Sequence, residues 1–196
     1  MTTAMNELLQ DHIAQHVSLD SAELQLVEAA LEQRTLKKND YLLSEGQVCN
    51  YEYFVIKGGL RQYEVDPNGR EIIIHFGFEN WWITDKQSLY SQRPSIYYIE
   101  ALEETDVLRI SREDLAGLSV KIPRLERYFH NVLQQSSVIW QTKILYLQKP
   151  AEQRYRMFRE MYGSIEQRIS QQHVAAYLGI TRETLSRIKS QLLKRQ

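Results

Sequence analysis

The stretch from Gln171 to Ser190, QQHVAAYLGITRETLSRIKS, decides how this chain is read. Two short helices crossing at a tight turn need apolar residues at set places, and Val174, Ala175, Leu178, Ile180, Leu185 and Ile188 occupy them. Val174 and Leu178 share one face of the first helix, Leu185 and Ile188 share one face of the second, and Ile180 fills the corner. Ala175 is small where the two axes approach, Gly179 can take the positive φ of the turn, and the Thr181 hydroxyl can cap the second helix. The pattern is that of a helix-turn-helix, whose second helix usually enters the DNA major groove. An ordinary helical hairpin is the alternative. The basic residues Arg182, Arg187 and Lys189 beside the motif favour DNA.

Working outward, the net charge of −1 conceals a division. From Gln141 onward there are eleven Lys or Arg against four Asp or Glu, a formal +7, whereas the first 140 residues carry thirteen against twenty-one, or −8. The basic excess coincides with the motif, where it attracts phosphate; the acidic part is left with sensing or assembly. Two modules follow. With 196 residues, 43% of them hydrophobic and 25% charged, the chain can bury one good core or two modest ones.

Several function classes fall away. Cys49 is the one cysteine, which rules out an internal disulfide and any cluster held by four thiolates of this chain, and its neighbours Val48 and Asn50 supply no activating cation or base. His12 and His16 have a helical i,i+4 spacing but no third acidic or histidine ligand nearby, so no metal site or other cofactor is expected. No clustered carboxylates, nucleophile–base pair or glycine-rich phosphate loop nominates an enzyme. The opening MTTAMNELLQDHIAQHV offers no basic leader with an unbroken apolar core, and the longest apolar runs are too short to span a bilayer. A cytoplasmic location without membrane attachment is the expectation.

Residues 5–15 and 21–33 read as helices, the second capped by Ser21 and carrying the stripe Leu24, Val27, Ala30 and Leu31. From Thr35 to Ile110 the pattern changes to short strands rich in β-branched and aromatic residues: Tyr41–Leu43, Tyr51–Ile56, Leu60–Val65, Glu71–Phe76, Ile96–Leu102 and Val107–Ile110. Gly46, Gly58-Gly59 and Asp66-Pro67-Asn68-Gly69 separate them, the last being the strongest hairpin signal because Asn68-Gly69 accepts positive φ. Such spacing favours an antiparallel barrel or roll. A long helix follows Pro123, with Leu125, Phe129, Val132, Ile139 and Tyr146 in a 3–4 pattern expected to meet a partner helix; intramolecular packing is the alternative. Leu133, Trp140, Ile144 and Leu147 widen its apolar surface. Lys149-Pro150 breaks into the last module, where Tyr155, Phe158 and Met161 form a packing helix. The expected architecture is α+β: an N-terminal antiparallel β-roll over 1–121, a long connecting and dimerisation helix over 122–148, and a helix-turn-helix domain over 149–196.

With these parts in this order, nearly the whole chain resembles the cyclic-AMP receptor protein and Fnr family of transcription regulators. LLSEGQVCNYEYFVIKGGLRQYEVDPNGRE is similar to the first half of that family's nucleotide-binding roll, and ITRETLSRI, residues 180–188, to its recognition-helix signature. The resemblance implies a homodimer joined through the long helix and bound to double-stranded DNA with a two-fold operator, with RNA polymerase as a further partner. It implies base or phosphate contacts from Arg182, Glu183 and Arg187. Arg182 and Arg187 suit guanine or phosphate and Glu183 suits a cytosine amino group, while Ser170, Gln171, Thr181 and Lys189 would position the backbone. A local ion-pair network among Arg182, Glu183 and Arg187 is the alternative reading.

Departures from the family pattern fall on the effector pocket. Members that bind cyclic AMP hold ribose with a Gly-Glu pair and phosphate with an Arg-Ser pair; an ungapped reading puts Thr84 and Asp85 at the first and Ser95 and Ile96 at the second. Ser95 cannot supply arginine's cationic fork, and burying a cyclic phosphate without it should cost several kcal/mol. Trp140 and Gln141 fall where the family meets adenine, and Trp140 would fill that space. An unknown effector or none is expected in place of cyclic AMP. The chain stops eight residues after Ile188, so no β-wing is expected beyond the recognition helix. The main expectation is a homodimeric, sequence-specific transcription regulator; a protein-interaction module using the acidic roll and long helix is the alternative.

Overall fold

Residues 7–194 are described by a computed structural model, with the side chains at 138–140 and 142 outside that description. Two helices, α1 (Glu7–Ala14) and α2 (Ser21–Ala29), precede eight strands: β1 (Glu32–Leu36), β2 (Tyr41–Leu43), β3 (Tyr51–Lys57), β4 (Gly59–Val65), β5 (Glu71–Phe78), β6 (Trp82–Ile83), β7 (Tyr98–Ala101) and β8 (Thr105–Ser111). Between β6 and β7 lies α3 (Lys86–Ser91). Then come α4 (Arg112–Lys121), α5 (Pro123–Leu147), α6 (Ala151–Tyr162), a 3-10 turn at Glu166–Arg168, α7 (Gln171–Leu178) and α8 (Arg182–Leu193). The N-terminal β-rich roll, long helix and terminal helix-turn-helix are those read from the sequence.

The strands form two four-stranded sheets, ordered β1-β8-β3-β6 and β2-β7-β4-β5. Leu36, Leu43, Tyr53, Val55, Leu60, Ile99 and Val107 fill the inside of the roll. A second apolar layer covers its outside, where Phe54, Leu108 and Ile110 meet Leu9 and Ile13 of α1 and Ile122, Leu125 and Tyr128. Alternate residues of β3 therefore serve different cores, and its run 52–55 is continuously buried rather than alternating, with Glu52 paired to Lys86. Gly58 makes the sharp β3–β4 reversal possible: its φ is +92°, and a Cβ there would sit 2.5 Å from the Glu104 carbonyl oxygen.

Several local expectations are corrected. Asp20, not Ser21, caps α2: its carboxylate accepts from the Glu23 amide at 2.9 Å while Glu23 accepts from the Asp20 amide at 2.9 Å. That helix stops at Ala29, and the chain from Glu32 extends as β1 beside β8. In the Asp66–Gly69 turn only Gly69 has positive φ; Asp66 organises the bend by accepting from the amides of Asn68 (2.8 Å) and Arg70 (2.9 Å). Helices α3 and α4 were not foreseen. Caps specify them, Asp85 for α3 and Ser111 for α4, rather than a strong apolar stripe.

The chain divides into two compact units, one holding the chain up to Glu64 with His75–Gln134, the other holding Val65–Ile74 with Gln135 onward. In the first, α1 is pinned by a buried polar knot. Tyr128, fully buried, shares its hydroxyl with His12 Nδ1 and Trp82 Nε1, each at 2.7 Å. Burial, followed by the neighbouring His16, lowers the His12 pKa to about 4. The His12–His16 pair thus packs α1 against the roll.

Candidate nucleic-acid interface

The C-terminal helices are built by their caps and corner. Ser170 accepts from the His173 amide at 3.1 Å to open α7, which ends in Gly179 at φ +63° and ψ +40°; Thr181 then accepts from the Thr184 amide at 3.2 Å to open α8. The Ile180 amide closes the corner on the Ala175 carbonyl at 3.1 Å. Val174, Ala175, Tyr177, Leu178, Leu185 and Ile188 are buried against α6, whose Phe158 and Tyr162 rings both lie 5.6 Å from Tyr177. Arg154 of α6 ties the motif from behind by donating to the Leu178 carbonyl at 2.6 Å. That clamp links positions 24 apart and could not be read from local spacing.

With the apolar side committed, α8 turns Arg182, Glu183, Ser186, Arg187 and Ser190 to solvent. Residues 183, 186, 187 and 190 recur at helical spacing and share one face. Glu183 sits in the first turn, where its own amide and the Thr181 hydroxyl hold its carboxyl below the usual carboxylate range. No ion pair among Arg182, Glu183 and Arg187 occurs within 4.0 Å, so the ionic-network alternative has no direct contact among these described residues. Gln171 is exposed at the start of α7.

Lys189 is placed differently from expectation. Its ammonium donates to Glu166 at 2.7 Å and lies 5.8 Å from the centre of the Tyr155 ring, and Glu166 also accepts from the Tyr155 hydroxyl at 2.9 Å. Its charge is thus paired with Glu166 inside the unit, with the side chain 32% exposed.

The second expected site, in the roll, is built from groups that satisfy one another. Asp85 accepts from the Ser88 amide at 3.1 Å and from the Ser95 hydroxyl at 2.7 Å. Thr84 donates to the Tyr51 carbonyl at 2.8 Å and lies 3.2 Å from the Cys49 sulfur. Thr84, Asp85 and Ser95 are buried together, whereas Ile96 is 54% exposed and Gln141 is exposed. Trp140 lies outside the described side chains. Burial raises the Cys49 pKa, keeping it a thiol.

Comparison with known proteins bears on both sites. Residues 33–121 match the model of the cyclic nucleotide-binding domain, and residues 143–196 match that of the Crp-like helix-turn-helix domain. The chain is 27% identical over 190 residues to the anaerobic regulatory protein of Pasteurella multocida, covering 90% of this chain and 69% of that one. It is 28% identical over 169 residues to the transcriptional activator FnrA of Stutzerimonas stutzeri, covering 79% and 68%. The chain belongs to the Crp/Fnr family. Its fold matches that of FixK2 from Bradyrhizobium japonicum, with TM-score 0.75, 24% identity and coverage of 84% of this chain and 85% of that one. It likewise matches CLP of Xanthomonas campestris, with TM-score 0.73, 17% identity and coverage of 90% and 93%.

As a Crp/Fnr regulator the chain is a DNA-binding transcription regulator, and α7 and α8 are the two helices of its helix-turn-helix. In the long helix Leu125 and Tyr146 of the expected seam are 1% and 3% exposed within their own chain, and Phe129 and Val132 are half-buried against the layer that holds Leu125. Ile139 lies outside the described side chains. Leu133, Ile144, Leu145 and Leu147 of α5 are exposed, at 45%, 63%, 64% and 47%. No helix of the described residues is long and apolar enough to cross a membrane, and no group of three or more His, Cys, Asp or Glu among them could hold a metal ion.

Proposed function

We propose that this Crp/Fnr regulator acts in the cytoplasm as a homodimer reading a two-fold operator, without control by cyclic AMP. The observation that carries DNA reading is the solvent-facing row of α8, where Arg182 and Arg187 suit guanine O6/N7 or phosphate and Glu183 suits a cytosine amino group. Ser170, Gln171 and Thr181, at the N-termini of α7 and α8, are assigned to backbone positioning. Contact with RNA polymerase would follow from this role.

Dimerisation is assigned to the exposed side of α5. Positions 133, 137, 140, 144 and 147 alternate steps of four and three, the spacing of a two-stranded seam, and Leu133, Ile144 and Leu147 leave apolar surface there open. Sedimentation is expected to show a dimer that Ile144→Glu weakens; a monomeric wild type at working concentration would remove this part of the reading.

Against cyclic AMP stand three observations. The position expected to hold a phosphate-binding arginine is Ser95, its hydroxyl is engaged by Asp85, and Asp85 itself caps α3. A cyclic phosphate would enter next to this buried carboxylate without a paired cation. Selection of bound duplexes from a random pool should return a two-fold sequence, and calorimetric titration with cyclic AMP should give no heat and leave operator affinity unchanged. Recovery of random duplexes without a consensus contradicts the reading, as does micromolar cyclic-AMP binding.

A further inference from the structure

Helix α8 can read bases only if its exposed row, residues 183, 186, 187 and 190, is held in one direction. The buried residues of the helix are Leu185 and Ile188. At about 100° per residue they lie on the side opposite that row. Apolar burial is non-directional, so contacts of this kind leave a helix free to roll about its axis. A roll of about 20° would carry groups about 6 Å from the axis through about 2 Å. Hydrogen bonds to base edges do not survive a shift of that size.

A polar tie stands on one flank of α8. Lys189 projects roughly 70° round the helix from the mean direction of Leu185 and Ile188. Its ammonium donates to Glu166 Oε1 at 2.7 Å, and the same oxygen accepts from the Tyr155 hydroxyl of α6 at 2.9 Å. The second carboxylate oxygen lies 3.2 Å from that hydroxyl and 4.0 Å from Arg159 Nε, also of α6. The Glu166 main-chain carbonyl accepts from the Ile169 amide at 3.0 Å, in the turn that leads to the Ser170 cap of α7. Glu166 thus joins α6, the approach to α7, and α8. Its side chain is 15% exposed and Tyr155 is buried, so solvent screens this tie less than it would a surface pair. Burial, followed by the bond to Glu166, raises the Tyr155 pKa and keeps its hydroxyl a donor.

We infer that Glu166 is a positioning residue of the DNA-reading surface: acting through Lys189, it fixes the rotation of α8 about its axis and so the aim of Arg182, Glu183 and Arg187. The inference rests on the proposed reading of α8 as the helix that meets the bases. Base contacts depend on the aim of each side chain, whereas phosphate contacts carry no sequence information. The tie should therefore be felt in sequence preference, which a pair of purely local worth would leave untouched.

The test measures affinity for the selected operator and for an unrelated duplex, at one salt concentration, in the full chain and in Glu166→Gln, Lys189→Met and the double variant. Glu166→Gln keeps the shape of the side chain and an acceptor for Tyr155 but removes the charge that holds Lys189. It should weaken operator binding by roughly fivefold or more, the low end of the loss of one base contact. Affinity for the unrelated duplex should hold or rise, because the variant is one unit more positive. Lys189→Met should narrow the ratio of operator to unrelated affinity by a similar factor. The double variant should narrow it no further, as expected for two ends of one interaction. Urea unfolding of each variant ensures that folded proteins are compared. A Glu166→Gln variant that loses stability yet keeps the wild-type ratio would make the tie structural only and overturn the inference. Losses that simply add in the double variant would overturn it too. An Arg187→Ala ratio equal to wild type defeats the reading of α8 itself, whereas a ratio that falls in Arg187→Ala and holds in Glu166→Gln sinks the inference alone.

Discussion

In the roll, Asp85 and Ser95 are turned on each other; on α8, Glu183 and Arg187 are turned to solvent. The two regions carry similar polar chemistry. In the first, the Asp85 carboxylate, the Ser95 hydroxyl and the backbone amides of Ser88 and Tyr97 complete one another's hydrogen bonds in a buried cluster, and the Ser88 hydroxyl extends it by accepting from the Cys49 amide at 2.9 Å and donating to the Arg93 carbonyl at 2.6 Å. In the second, the caps are satisfied but the side chains beyond them are left open. Within one family framework, a polar cluster that has closed on itself holds a fold, and one left unpaired on a rigid helix is available to a ligand.

The contrast can be broken most forcefully at Asp85. Asp85→Ala removes a helix cap and leaves the buried Ser95 hydroxyl only its longer bond to the Tyr97 carbonyl at 3.3 Å, so urea unfolding should show a loss of about 1–3 kcal/mol. Arg187→Ala should change stability by no more than about 0.5 kcal/mol. A stable Asp85→Ala variant would mean that the cluster in the roll is not structural.

The two interiors also differ in how pH should act on them. Burial pushes the Lys143 pKa down to about 7 from the 10.5 of a free lysine, so between those values the unfolded chain binds a proton that the folded one does not. Stability should therefore rise with pH from about 7 toward 10.5, by at most about 1.4 kcal/mol per pH unit, and Lys143→Met should remove that rise. His12 shifts from 6.5 to about 4, and the same accounting makes its contribution fully present above 6.5 and lost as pH falls to about 4. Its half-buried ring makes this the smaller effect. Unfolding curves from pH 7 to 4 for wild type and His12→Phe test it, since a variant with an unchanged acid limb would remove His12 from that role.

What was legible in the sequence follows the range of the interactions. The helix-turn-helix could be read because Gly179, Thr181 and the apolar corner act within a few residues of one another. Six strands of the roll are visible by composition, but β1 and β6 are not: residues 32–35 of β1 are exposed and polar and only pairing with β8 makes them a strand, and β6 is two residues paired with β3. In α5 two apolar rows lie side by side, and periodicity does not tell which is covered; contacts of Leu125 with α1 and the roll decide it. The bond of Lys189 to Glu166 is not legible in local spacing, because the two lie 23 positions apart. The resemblance located Thr84, Asp85 and Ser95 without revealing that Asp85 and Ser95 bond each other.

The most direct test of the account is a fluorescence-anisotropy titration of the selected operator with wild type, Arg182→Ala and Arg187→Ala, beside an unrelated duplex at the same salt concentration. Loss of one well-formed base contact is worth about 1–3 kcal/mol, so each variant should bind the operator roughly five- to 150-fold more weakly while remaining folded and dimeric. Affinity for the unrelated duplex should fall much less, narrowing the gap between specific and non-specific binding. Operator affinity and sequence preference unchanged in both folded variants would contradict the assignment of the open face of α8 as the reading surface.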